Sequence, residues 1–485
     1  MKDLGRALIT VLIILIVSCN QNGSNSDRQK PAETLSISLY DSLMQAYSGF
    51  NKFSGVALLA KGDSILFQKA YGMANHEWQV KNTINTRFKI GSLTKSFTAY
   101  LTFLKVQKGI INLDDKVINF IPELYQNGTE QIEIRHLLNH TSGLPSHTRS
   151  ATYSGDFSKV KLTGNEWVEK ISAIKLVHVP GKQVEYTNLG YILLGVVLER
   201  VSDRPFQTVL RDHILDTLKL DDTFYPVDHT LYENIAYGYD QSLKGPFPTE
   251  FIDPSIPFSA AGLYSTAGDL FDWTQNIKTY GLLNESLTNE MLKSKKGGAA
   301  CGWFINNTKG EKIIYHGGRI NGFSSLLRHY TKNDLTVILL HNLGSTDLDA
   351  IADNLVRISR DVNPQWPAAR LDKRLYEQYT SKGAESMIND YRQIRDNNIE
   401  QINYSDDDLR NLALFIWHEH RDIDTAEQLL LYCITDFPES IQTHIDLGDL
   451  YMRKGNRRVA RKYYRKAYKI DPGHVKAQQR IKAVG

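Results

Sequence analysis

The sequence predicts an α+β domain followed by a separate all-α domain of helical repeats. Three observations carry that expectation. Strand-like apolar runs stand near both ends of residues 34–361 with helical segments between them, so one sheet built from both termini would carry a helical insertion packed against it. Beyond the proline-bearing stretch "NPQWPAARL" the chain reads as helix throughout. Within that tail Pro438 and Pro472 stand 34 residues apart, and Ala426 and Ala460 keep the same spacing.

A chain of 485 residues is long for one ordinary domain, and 41% hydrophobic with 23% charged residues suits a globular protein with a sizeable core. A net charge of +3 gives no reason to expect nucleic acid as a partner. Cys19, Cys301 and Cys433 lie too far apart for a disulfide framework or a zinc spacing, and no metal or cofactor is expected.

The first residues read as a targeting segment. "MKDLGR" is short and charged, and Ala7 to Val17 is apolar apart from Thr10, which suits a signal peptide and is short for a bilayer span. "IVSC" then resembles a bacterial lipobox. That resemblance implies a lipoprotein signal peptide over residues 1–18, cleavage before Cys19 and a lipid on its thiol. The protein would then be held to a membrane of the bacterial cell envelope, facing the periplasm or the exterior. A plain secretory signal with an incidental cysteine is the alternative. Residues 19–33 read as a flexible tether.

An amphipathic helix is expected over about 34–48, then strands in "SGVALLAK" and "SILFQKAYG" joined through "GD", a hairpin signal. Residues 92–109 read as a helix, apolar at Leu93, Phe97, Leu101, Leu104 and Val106. "KIIYHGG", "GFSSLLRHY" and "LTVILLHN" read as closing strands, followed by a helix near 347–361. Residues 362–372 would be a linker and 373–485 the repeat domain.

In the last repeat Leu447, Gly448, Tyr451, Ala460, Tyr464, Ala467 and Pro472 fall at the offsets of a tetratricopeptide repeat. Small residues there let two helices cross closely, and the aromatics fill the gap. The unit over about 407–440 fits less well, with Leu414 where a small residue is expected, and 373–400 would be a degenerate preceding pair. Such repeats suggest a protein or peptide partner. Residues 453–482 hold twelve Lys or Arg against one acid, Asp471. That run is either a set of solvated helix faces or a contact for an anionic surface or acidic peptide.

"FKIGSLTKSFTA", residues 88–99, places Ser92 at a helix start with Lys95 three residues on. Serine is a good N-cap. A capping box, however, wants Glu or Gln where Lys95 stands, and a cation in the first turn costs roughly 0.3–1 kcal/mol against the helix dipole. Residues three apart share one helix face, so the ammonium could instead serve the hydroxyl. Ser92 would then be both cap and nucleophile, its backbone N–H available as an oxyanion donor. The spacing alone is weak, since Ser158–Lys161 and Ser172–Lys175 repeat it.

Context decides. "RFKIGSLTKSFTA", "IEIRHLLNHTSGLP", "PGKQVEYTNLGYILLG", "SAAGLYSTAGDLFDW" and "HGGRINGFSS" occur in this order. Together they resemble the serine β-lactamase-related family, which includes class C β-lactamases, D-alanyl-D-alanine carboxypeptidases, D-aminopeptidases and esterases. The resemblance covers about residues 34–361 and implies a β-lactamase/transpeptidase-like sheet flanked by helices. It implies that Ser92 is the acylated nucleophile, Lys95 its proton-relay partner and Tyr186, in "YTN", a candidate base. A tyrosine, ordinarily near pKa 10, needs the adjacent cation to stabilise its phenolate. By the same resemblance Asn188 would bond Lys95 and the substrate, and "HGG" would be the third motif. In that motif His316 lines the site, Gly318 lets substrate approach the strand, and the Arg319 N–H is the second oxyanion donor.

His316 replaces the lysine of β-lactamases, and Gly317 lacks the hydroxyl that helps grip a carboxylate. Both departures weaken the case for β-lactams or D-alanyl peptides and leave an esterase or another amidase or peptidase at least as well supported. His136 and His140, four apart, read as packing within a motif block and not as metal ligands. The expectation is a lipid-anchored envelope serine hydrolase acting through an acyl-enzyme on a small ester or peptide-like substrate, penicillin-binding-protein-like in type. The rival is a catalytically silent envelope receptor or scaffold that uses the cleft and repeats only for binding.

Overall fold

The computed structural model describes residues 30–125, 128–146, 155–308, 310–344, 346–397 and 405–484. The expected signal peptide, Cys19 and the tether as far as residue 29 lie outside the described residues. Residues 30–33, expected as tether, instead form the first turn of helix α1 (Lys30–Gly49).

Strands β1 (Gly55–Lys61), β2 (Ser64–Tyr71), β3 (Phe304–Thr308), β4 (Glu311–Ile320), β5 (Phe323–Tyr330) and β6 (Leu335–His341) form one sheet in the order β2-β1-β6-β5-β4-β3. All its pairings are antiparallel, and β1 from the N-terminal side lies directly against β6 from the C-terminal side, Gly55 opposite His341. One sheet is thus assembled from both ends of the domain.

The apolar runs Val56–Ala60 of β1 and Val337–Leu340 of β6 follow from their central position. Side chains alternate between faces, so a strand buried on both sides needs apolar residues at every place. Val56, Leu58, Ala60, Ile338 and Leu340 pack on the face that meets the helical insertion. Ala57, Leu59, Val337 and Leu339 pack on the other, beneath α1 and the closing helix. Edge strand β2 is largely exposed or half-buried.

The insertion supplies α2 (Thr94–Gln107), α3 (Asn188–Ser202) and α4 (Ala267–Lys278), and α5 (Leu348–Ser359) closes the domain. Fully buried Phe97, Tyr100 and Trp273 lock α2 to α4, with Phe97 stacked on Trp273 at 4.3 Å between ring centroids.

The tail forms three helix pairs and a last helix: α6 (Leu371–Lys382) with α7 (Ala384–Asp396), α8 (Asp406–Phe415) with α9 (Ile423–Asp436), α10 (Ile441–Arg453) with α11 (Arg457–Ile470), then α12 (Val475–Ala483). Helix α6 takes up Leu371 and Asp372 from the end of the expected linker, because both are buried and Leu371 joins the helical core. Ala426 and Ala460 are wholly buried, as their shared spacing requires. Leu414 is half-buried beside the wholly buried Ala413, next to a wide irregular turn at Ile416–His420 that offsets this pair from the last one. The two domains touch where Leu243 packs against the repeat core and Lys244 pairs with Glu419 over the Phe415 ring. Among the described residues no helix is long and apolar enough to cross a membrane.

At the last pair, a Cβ on Gly448 would overlap the Tyr464 ring. Gly448→Ala improves helix propensity by about 1 kcal/mol, but overpacking costs about 1–3 kcal/mol and should win. The variant is expected to show a lower melting transition for the repeat helices by circular dichroism; an equal or higher transition would mean that the helices part freely.

Candidate active site

The segment before Ser92 is anchored by a short strand pair, Phe88–Lys89 against Tyr264–Ser265. A tight turn at Gly91–Leu93 follows and runs into α2. Ser92 does not cap this helix. The cap position belongs to Leu93 and has no side-chain bond, while the Thr94 N–H is taken up by the carbonyls of Gly91 and Ser92. The tight turn satisfies the backbone itself, which leaves Ser92 Oγ for another partner.

That partner is Lys95. Its Nζ donates to Ser92 Oγ at 3.0 Å, Asn188 Oδ1 at 2.6 Å and the Ala260 carbonyl at 2.9 Å. An ammonium has three protons, and here three acceptors receive them. The side chain is wholly buried, and desolvation pulls its pKa well below the ordinary lysine value. When the ammonium loses a proton it becomes an amine with a lone pair, and the Ser92 hydroxyl becomes the donor. The arrangement can therefore take the serine proton without moving a heavy atom.

Asn188 is the first residue of α3. Thr187 caps that helix, accepting from the Leu189 N–H at 3.2 Å and donating to the Pro145 carbonyl at 2.8 Å. Just ahead, Tyr186 lies half-buried with its ring centroid 5.0 Å from Lys95 Nζ. It is held between His140, at 4.4 Å between centroids, and Phe304, at 6.1 Å. His140 Nδ1 accepts from the Thr187 N–H at 3.3 Å, and burial with the neighbouring Lys95 keeps the imidazole neutral. His136 and His140 do not share a helix face. The helix ends at Leu138, His136 closes its own N-terminus by accepting from the Glu133 N–H, and His140 sits beyond in a left-handed conformation. Among the described residues no cluster of metal-binding side chains is present.

The third motif lies on β4. Strand β3 pairs only as far as Tyr315, so the outer edge of β4 from His316 onward carries no strand partner. A Cβ at Gly318 would lie 2.9 Å from Ser92 N, and one at Gly91 would lie 2.8 Å from Arg319 N. Only glycine allows the two backbones to approach so closely, and Gly91 also needs its positive φ. The turn is pinned to β5 by the Ser325 hydroxyl, which donates to the Ile90 carbonyl at 2.7 Å. The backbone N–H groups of Ser92 and Arg319 are thereby gathered in one place, the arrangement an oxyanion requires.

His316 is buried. Its Nδ1–H donates to the Gly317 carbonyl at 2.6 Å, so Nε2 is an acceptor, and it has no partner among the described residues. Burial, reinforced by Lys95, lowers its pKa to about 3, so it brings no charge to the site. The Arg319 side chain is exposed.

Each site residue expected from sequence on the described part of the chain thus lies in or beside one cluster. Sequence reasoning missed two supports, the Ala260 carbonyl and the Ser325 hydroxyl; His140, expected as packing, packs on the Tyr186 ring. A carbonyl has no sequence signal, although its block "SAAGLYSTAGDLFDW" was visible, and the hydroxyl acts only through the folded chain.

A family model for beta-lactamase matches residues 41–360. The chain belongs to the beta-lactamase family. A tetratricopeptide repeat matches residues 441–474. Protein flp of Staphylococcus aureus (strain MW2) is 28% identical over 313 residues, covering 61% of each chain, so this family member spans less than two thirds of that relative. Among solved structures, the octameric penicillin-binding protein homologue from Pyrococcus abyssi shares the fold with a TM-score of 0.60 at 23% identity, covering 70% of this chain and 81% of that one. The D-amino acid amidase from Ochrobactrum anthropi SV3 does so with 0.58 at 23% identity, covering 66% and 99%.

The two charge states of Lys95 make the site pH-dependent. Below its lowered pKa the ammonium cannot accept the serine proton, and above it the amine can. The rate of Ser92 labelling by a fluorophosphonate is expected to rise with pH through one ionisation below 10.5. His316→Gln should leave that midpoint in place, because His316 is neutral above about 3. A midpoint moved by more than about one unit would mean that the histidine carries charge.

Proposed function

We propose that this protein is a lipid-anchored serine hydrolase of the bacterial cell envelope, acting through an acyl-enzyme on Ser92 on an ester or an amide or peptide substrate. The observation that carries the chemistry is the three-way grip on Lys95, which holds its nitrogen 3.0 Å from Ser92 Oγ. In the acylation step Ser92 Oγ bonds to the substrate carbonyl carbon while its proton passes to the Lys95–Tyr186 pair. The carbonyl oxygen, now anionic, faces the Ser92 and Arg319 N–H groups, each worth roughly 3–4 kcal/mol in the transition state. Collapse breaks the bond to the alcohol or amine, which leaves with the returned proton, and water then repeats the sequence on the acyl-enzyme.

A neutral His316 supports a substrate that does not rely on a carboxylate at that point. The likeness to a D-amino acid amidase brings amides of D-amino acids within the class to test beside simple esters. The anchor rests on the lipobox at Cys19, and the repeats, with their match at residues 441–474, supply a site for a protein or peptide partner.

Incubation of the native chain and Ser92→Ala with a fluorophosphonate and a fluorescent penicillin tests the chemistry. The native chain should take a label that the variant loses, with hydrolysis of a p-nitrophenyl ester falling by about 10³-fold or more. A native chain that takes no label and cleaves no activated ester would leave only a binding cleft. Removing the repeat helices from Leu371 onward should leave ester hydrolysis nearly unchanged; a collapse would mean that they help to build the site.

A further inference from the structure

Helix α11 carries a feature that neither the fold nor the proposed chemistry uses. Its buried side is narrow: Ala460, Tyr464 and Ala467 face the rest of the last repeat. Val459, Tyr463 and Ile470 are half-buried beside them, and Arg457, Arg458, Arg461, Lys462, Arg465, Lys466 and Lys469 lie on the outer side with Tyr468. At 100° per residue these seven spread over about half the helix circumference and along about 20 Å of its length. All but Arg461 are exposed, and none of the seven makes an ion pair or side-chain hydrogen bond among the described residues.

Nearby acids do not offset this charge. Asp424 and Glu427 are taken by Lys454, and Asp449 by Arg480 at 2.8 Å. Cations therefore follow one another at i+3 and i+4 along α11 with no acid between them, a pattern that destabilises a helix. Glu439, which acts on His444 together with Lys466, and Asp471 at the helix end are the other acids nearby, and neither forms an ion pair with these seven cations, so most of their charge is open to a partner outside the chain.

The face has the wrong make-up for a specific protein hot spot. Such sites centre on a desolvated apolar or aromatic cluster, and here Tyr468, 42% exposed, is the lone large apolar group on the cationic arc. No carboxylate or amide holds the guanidinium and ammonium groups in fixed directions. A broad field of cations that no ion pair holds, without an apolar centre, suits a fluid array of anionic headgroups.

We propose that the outer face of α11 docks on an anionic lipid surface and so orients the repeat domain against the membrane. The contact does not depend on chemistry at Ser92 or on a lipid at Cys19.

Vesicle flotation of the full chain at low ionic strength tests this, comparing phosphatidylcholine alone with phosphatidylcholine containing about 30% phosphatidylglycerol. The native chain should bind the anionic vesicles at least about 10-fold more tightly, and added salt should erase the difference. A variant carrying Arg457→Gln, Arg458→Gln, Lys462→Gln, Arg465→Gln and Lys466→Gln should lose most of that preference. Its melting temperature should stay level or rise, because like-charge repulsion is relieved. A second variant, Lys462→Glu with Lys466→Glu, should lose the preference with only two changes. Any N-terminal contribution is the same in all the proteins and cancels in the comparison. Equal binding to both vesicles, or an undiminished preference in both variants, overturns the proposal. So does binding to polyglutamate or duplex DNA with no preference for anionic vesicles, which would assign the face to a protein or a nucleic acid.

Discussion

The hydrolase-like domain is organised around one buried lysine. A cation removed from water must have its protons received, or its burial would cost several kcal/mol. Lys95 meets that demand with three acceptors from different parts of the chain: the turn that precedes its own helix, the first residue of α3, and the carbonyl of Ala260. Each acceptor belongs to an element packed for other reasons, so the lysine ties α2, α3 and the Ala260 turn into one unit. The same three contacts leave Ser92 Oγ close to a nitrogen whose proton affinity has been lowered by burial.

A second constraint joins that unit to the sheet. The turn before α2 touches β4 backbone to backbone, which only Gly91 and Gly318 permit. The Ser325 hydroxyl holds the contact from β5. Two N–H groups that are far apart in sequence become neighbours because two stretches of bare backbone cross. The sheet that sets this crossing is buried on both faces at its centre, beneath α1 and α5 on one side and the helical insertion on the other.

The electrostatics of the cluster are correspondingly spare. His140 and His316 are both kept neutral by burial beside Lys95. Tyr186 is clasped between the His140 and Phe304 rings, with its own ring centroid 5.0 Å from Lys95 Nζ. Charge is instead concentrated far along the chain, on α11, where no acid meets it. The molecule thus keeps the two histidines of its reactive cleft uncharged while an outer helix carries a dense run of cations.

Much of this was legible in the sequence because it depends on local pattern. The strand-like apolar runs near both ends marked one sheet built from both termini, the 34-residue spacing marked the last repeat, and the five ordered blocks picked Ser92 and Lys95 from look-alike pairs. Other readings failed where the folded chain supplied a partner that local rules cannot see. Ser92 was expected to cap its helix, yet the turn before it satisfies those donors with backbone carbonyls. The tether lost residues 30–33 to α1 and the linker lost Leu371 and Asp372 to α6, since a helix end depends on the surface it packs against as well as on its own residues. The sequence by itself determined the domain order, the strand and helix identities and the residue types of the site. Only the tertiary structure decided which carbonyl, hydroxyl and ring surround them, because hydrogen bonds across 93 or 165 residues leave no periodicity to read.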